Sequence, residues 1–149
     1  MGMVEFRKKY FAALLELMKE AEIPVSLGTP SGQQFQIIYR WPGPSDVAVN
    51  ILPRKKEIRV DLTLKGKNAD EEYRRLKKER KKIEEIIGRK LEWRPNRDSK
   101  PPHERQMIWR LHNTDPRKES DWPRQHAWLA ARLVAFRLAF GPIIEGWQA

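Results

Sequence analysis

DVAVNILPRKKEIRVDLTL, running from Asp46 to Leu64, decides the fold. Val47, Val49 and Ile51 alternate on its first arm, and Ile58, Val60, Leu62 and Leu64 on its second. A period of two is the signature of a half-buried strand. With Arg54 and Lys55 at the tip, Ile51 faces Ile58, Val49 faces Val60 and Val47 faces Leu62. The opposite face then pairs Asn50 with Arg59 and Ala48 with Asp61. A slip of one residue would exchange the two faces, so the register is strongly specified.

Upstream, Phe35, Ile37, Tyr39 and Trp41 alternate with Gln36, Ile38 and Arg40, which predicts a strand over Gln34 to Trp41 on the same core. Pro42, Gly43, Pro44 and Ser45 turn it into the hairpin, giving a three-strand meander. Val4 to Ala21 reads as a helix with Phe6, Tyr10, Leu14, Leu17, Met18 and Ala21 on one stripe, and Pro24 ends it. Gly28-Thr29-Pro30-Ser31-Gly32 lacks the Lys-Ser/Thr ending of a phosphate loop and precedes no helix.

Downstream, Gly66 to Asn68 breaks the sheet. A second helix, capped by Asn68 or Asp70, runs to about Ile87, with Tyr73, Leu76, Ile83, Ile86 and Ile87 inward and Gly88 at its end. Leu91 to Arg94 and Met107 to His112 read as strands, separated by a polar loop from Pro95 to Glu104. Ser120 or Asp121 caps a third helix with Pro123 in its first turn and Trp128, Leu129, Leu133, Phe136 and Phe140 as its stripe. Gly141 and Pro142 are expected to stop it. The order is helix, three-strand meander, helix, two strands, helix. An α+β fold follows, an antiparallel sheet of about five strands with three helices mainly on one face.

The 149 residues fit a single domain, 1–149, with a core over about 4–143. There is no cysteine, which removes disulfides, thiolate catalysis and thiolate metal ligands. No long apolar run or signal pattern stands out, so a cytoplasmic protein without a membrane partner is expected. The net charge is +10. Residues 65–105 carry 15 Lys and Arg against 9 Asp and Glu, +6 of that total.

The chain resembles a bacterial and archaeal family known as domain of unknown function number 4268. Phe6, Tyr10 and Phe11 in the first helix carry the likeness, with Ile58-Arg59-Val60-Asp61-Leu62 in the third strand. Ile87-Gly88 followed by Leu91-Glu92-Trp93 adds to it, as does a last helix with Trp122, Trp128, Phe136-Arg137 and Phe140 before Pro142. The match spans Phe6 to Ile143. The resemblance implies the same α+β fold. It also implies a loose link with restriction and defence proteins, in which such domains often follow a nuclease-like domain. It brings no established activity.

Two constellations stand out. The polar sheet face gathers Arg40, Arg59, Asp61, Arg110 and His112, either as a ligand platform or as cross-strand ion pairs, and the second is the commoner use of such a face. The second helix carries Arg74, Lys77, Lys78, Lys81 and Lys82, a candidate nucleic-acid patch unless pairs such as Asp70–Arg74 and Glu71–Arg75 neutralise it. His103, His112 and His126 lack metal-ligand spacing. Trp93, Trp109, Trp122 and Trp128 sit on apolar stripes and read as packing residues rather than base platforms. A restriction-type pair of acids, Asp46 with Glu57, is separated by the hairpin's own length. No metal, cofactor or catalytic residue is therefore expected. A non-catalytic binding or interaction module is the leading expectation, with nucleic acid or a protein as partner, or a fused nuclease-like domain in relatives. The alternative is an enzyme whose site lies around Asp61 and Arg110.

Overall fold

The hairpin forms in the register its alternation demands. In the computed structural model, which describes residues 2–26, 28–41, 43–95 and 104–147, β2 (Asp46–Leu52) pairs antiparallel with β3 (Glu57–Leu64). Val47 meets Leu62, Val49 meets Val60 and Ile51 meets Ile58. A 3₁₀ turn over Pro53–Lys55 and a left-handed Lys56 close the tip. β1 (Phe35–Arg40), β4 (Glu92–Arg94) and β5 (Arg105–Leu111) complete a five-stranded sheet in the order β1-β2-β3-β5-β4. Every pairing is antiparallel. Pro42, His103 and all but the ends of the expected 95–104 loop lie outside the described residues.

One register shift changes what the first strand presents. Between Ile37 and Tyr39 the β1–β2 ladder carries a bulge, with Ile38 unpaired. An extra residue moves the alternation by one step. The expected inward set was Phe35, Ile37, Tyr39 and Trp41. Instead Ile38, Tyr39 and Trp41 are buried, while Phe35 remains 43% exposed. Phe35 and Ile37 face the polar side, opposite Asn50 and Ala48.

Four α-helices occur among the described residues, one more than expected: α1 (Met3–Glu20), α2 (Ala69–Lys78), α3 (Arg80–Ile87) and α4 (Trp122–Gly146). The expected second helix divides at Glu79, although no Gly or Pro marks the place. Packing explains the division, because α2 lies against β3 and β5 whereas α3 lies against α4. Tyr73 and Leu76 thus follow one surface and Ile83 and Ile87 another, and Ile86 is left exposed. Neither Asn68 nor Asp121 makes a side-chain capping bond at its helix start. The Asp121 carboxylate instead accepts from Arg124 and Gln125.

α4 runs past Gly141 and Pro142, where a stop was expected. An interior proline costs about 3 kcal/mol. Burial of Ile144, and the packing of Trp147 on the core and beneath Arg75, offset that cost. By length and composition the stretch Glu119–Gly146 could cross a membrane, more apolar than the sequence reading allowed. Its inward stripe of Leu129, Leu133, Phe136, Phe140 and Ile144 belongs to the core. Tyr10 ties α1 to α4 through a 2.8 Å hydrogen bond to Gln125, and the Tyr39 hydroxyl donates to the Leu133 carbonyl.

Val60 sits at the centre, fully buried, between Val49 on β2 and Trp109 on β5. Val60→Asp is expected to abolish cooperative folding, since a buried unpaired charge costs a large part of a typical stability of about 5–15 kcal/mol. Thermal melting followed by circular dichroism checks this, and an unchanged midpoint would refute the central place of Val60.

Candidate functional site

The polar face of the sheet is a network of ion pairs. Arg59 places Nε 3.2 Å from Asp61 Oδ2, and Asn50 Nδ2 donates to the same oxygen at 2.8 Å. Arg110 donates to Glu57 at 2.7 Å and to Glu92 at 2.8 Å. His112 Nδ1 lies 3.2 Å from the other oxygen of Glu57, and Arg94 pairs with Glu92. Lys65 Nζ approaches Asp46 at 2.8 Å. Arg59 and Arg110 face one another across β3 and β5, and the three acids between and beside them offset that repulsion. Burial opposes the charge on Arg110, but its hydrogen bonds to Glu92 and Glu57 outweigh this and hold its pKa above the ordinary value.

The expected site residues therefore divide. Arg59 and Asp61 are together, and Arg110 and His112 share Glu57. Arg40 stands apart at the β1 edge, exposed, opposite Asp46. Glu92 and Lys65 were not among the expected residues. Lys65 directly follows β3 and reaches Asp46 through the hairpin register, which the sequence showed, whereas the place of Glu92 comes from the β4–β5 register across a long connection.

A cavity of about 210 Å³ opens on this face. Phe35, Ile37 and Ala48 form its apolar wall, while Asp46, Asn50, Asp61, Thr63, Lys65 and Gln106 contribute polar groups. The bulge in β1 supplies that wall. Asp61 is the unusual member. Burial is the largest influence on it, raising its pKa to about 6 against the opposing effect of Arg59. Such a carboxyl can hold or release a proton near neutral pH. Asp46 and Glu57 stand at opposite ends of the hairpin, paired with Thr63 and Leu52. Among the described residues no group of three or more His, Asp or Glu converges as metal ligands.

The helical cations behave differently. Arg74 is held by Asp70 at 3.1 Å, as its spacing predicts. Arg75 does not pair with Glu71 but lies 4.6 Å above the Trp147 ring. Lys77 lies 5.6 Å from the Tyr73 ring centroid and near its hydroxyl. Lys77, Lys78, Lys81 and Lys82 are exposed, and none has a carboxylate within 4 Å among the described residues. Lys77 and Lys78 end α2, and Lys81 and Lys82 lie in the first turn of α3, on either side of the break at Glu79.

The tryptophans are packing groups. Trp122 is buried and donates to the Pro116 carbonyl at 2.7 Å. Trp93 donates to Glu84 and meets Tyr73 edge to face. His126 is buried against Tyr10 at 4.5 Å, with Nε2 lacking a partner. Burial lowers its pKa to about 4.

Asp61 and His126 pull stability in opposite directions over one pH window. Folded Asp61 keeps its proton up to about pH 6, whereas the unfolded carboxyl loses it near 3.8. Its contribution therefore falls as pH rises between those values. Folded His126 stays neutral down to about pH 4, whereas the unfolded imidazole gains a proton below 6.5. Its contribution rises over that range. Each is on the order of 3 kcal/mol, and the two have opposite signs. Relative to wild type, Asp61→Asn is expected to gain stability with rising pH from 4 to 6.5, and His126→Gln to lose it. Urea midpoints at four pH values measure both, and parallel profiles for all three proteins would refute the assignment.

No curated protein and no solved structure matches the chain. The family described as Domain of unknown function (DUF4268) matches residues 6–144, the stretch that holds the sheet, its polar face and the lysine side of α2 and α3. With nearly the whole described fold inside that match, the chain belongs to this family.

Proposed function

We propose that this protein is a non-catalytic module that binds nucleic acid through its phosphate backbone, using the lysine side of α2 and α3. The observation that carries the reading is the lack of acidic partners among the described residues for Lys77, Lys78, Lys81 and Lys82, whereas four cations of the sheet face, Arg59, Arg94, Arg110 and Lys65, each have one. Unpaired surface lysines attract phosphates without reading bases, and each contact releases condensed counterions. Binding is expected to be largely independent of sequence, with a dissociation constant of roughly 10⁻⁴ to 10⁻⁶ M at physiological salt. Replacing all four lysines with Gln is expected to weaken binding and flatten its salt dependence while leaving the fold intact. Fluorescence anisotropy with labelled duplex and single strands at two salt concentrations tests this. No binding by wild type at low salt would overturn the reading and leave a protein partner in its place.

A second reading, an enzyme on the polar sheet face, draws on one observation: Asp61, with its raised pKa, lines a cavity with an apolar wall. Its test is incubation with plasmid and Mg²⁺ or Mn²⁺. The DNA is expected to remain intact, because the acids of this face are engaged with cations. Cleavage lost in Asp61→Ala would replace the binding reading with the enzymatic one.

A further inference from the structure

A second cationic cluster lies on the other side of the sheet, outside both constellations discussed so far. Arg132 on α4 sets its guanidinium carbon 4.5 Å from the Trp109 ring centroid and 5.1 Å from that of Trp128. Arg89, two residues beyond α3, sets its own 5.0 Å from the same Trp109 ring. The two indoles meet edge to face at 5.8 Å. Trp109 comes from β5 and Trp128 from α4, so three separate parts of the fold converge here.

A structural sandwich of this kind needs one arginine. The second adds repulsion, and neither guanidinium has a carboxylate within 4 Å among the described residues. Among the described residues the only hydrogen bond from Arg89 goes to the carbonyl of its neighbour Lys90, and the buried Nε of Arg132 has no acceptor. Burial, and then the charge of Arg89, pull the Arg132 pKa below its ordinary value. Two planar donor forks thus lie within about 5 Å of one indole ring, with no carboxylate among the described residues to receive either. Two forks on an aromatic support match the oxygens of a phosphate group better than a carboxylate, which one fork already satisfies.

We propose that Arg89 and Arg132, held on Trp109 and Trp128, form a phosphate-binding site distinct from the lysine side of α2 and α3. Resting on the function proposed above, the phosphate belongs to the bound nucleic acid. The arginine site then fixes the position of one phosphate that the lysines attract only as point charges.

Two measurements test the site and the source of its phosphate separately. The first is the thermal midpoint in inorganic phosphate against sodium chloride of equal ionic strength. Phosphate also stabilises proteins by exclusion from their surfaces, so the comparison is between variants. Wild type is expected to show a saturable increase beyond that of Arg89→Gln and Arg132→Gln. Arg132→Lys is expected to lose most of it, because an ammonium lacks the fork. The quadruple lysine variant is expected to retain it. Arg89 is exposed, so its variant leaves the core untouched and keeps the test valid if Arg132→Gln folds poorly. An identical phosphate response in Arg89→Gln and wild type would overturn the site.

The second measurement is anisotropy with a labelled oligonucleotide, where each Arg→Gln change is expected to weaken binding about tenfold, equivalent to about 1.4 kcal/mol. Unchanged oligonucleotide affinity beside a lost phosphate response would overturn the nucleic-acid source and assign the site to free phosphate. If wild type binds no oligonucleotide but keeps the arginine-dependent phosphate response, the proposed function fails while the anion site stands.

Discussion

Strand β3 is closed on both of its faces, and much of the structure follows from that constraint. One face, Ile58, Val60, Leu62 and Leu64, is closed by the helices. The other carries Glu57, Asp61 and Thr63, and these are nearly as inaccessible as the apolar set. A buried carboxylate needs a cation or a proton. Glu57 takes Arg110 and His112, Asp46 on the neighbouring strand takes Lys65, and Asp61 takes Arg59 together with a raised affinity for a proton. Arg59 and Arg110 are thereby committed to the fold. That commitment separates them from the helical lysines, which have no comparable obligation.

How far the chain could be read depends on the range of the interaction that decides each element. The β2–β3 register was legible because its two arms are adjacent and a slip would bury Asn50 and Asp61 in the core. The apolar stripe of α1 was legible for the same reason, since its period is local. The bulge at Ile38 was not, because Ile37 and Ile38 are equally apolar and only pairing with β2 chooses between them. The division at Glu79 and the continuation through Pro142 were also hidden. Both are set by surfaces on other elements, to which Ile83, Ile144 and Trp147 are drawn against local preference. The overall class survived these errors because each displaces one boundary or one phase without changing which segments form strands.

The candidate sites show the same division. Period two placed Arg59, Asp61, Arg110 and His112 on the polar side. It could not say that Arg59 would turn to Asp61 along its own strand, or that Arg110 would bridge Glu57 and Glu92. The Arg110 partners depend on the β3–β5 and β4–β5 registers, which no short turn specifies. The lysine stripe was visible, but its freedom from acids was not. Glu71 and Arg75 have the spacing of a pair, yet Arg75 goes to Trp147. Exposed i,i+4 pairs contribute only a few tenths of a kcal/mol, so a nearby indole face can take the guanidinium instead.

The same balance of magnitudes orders the cations by availability. Arg110 gains two charge-assisted hydrogen bonds from acids fixed by the sheet, and a ligand would have to replace both. Arg74 is held by one exposed acid, a contact of small value that salt screens. Lys78, Lys81 and Lys82 give up no ion pair when an anion arrives. Arg89 and Arg132 likewise have no carboxylate within 4 Å among the described residues, and the charge of Arg89 adds to burial in lowering the Arg132 pKa. Displacing a cation's present partners therefore costs most at the polar face of the sheet and least where no carboxylate among the described residues holds it. The proposed phosphate contacts thus rest on the ion pairs that the fold leaves unmade.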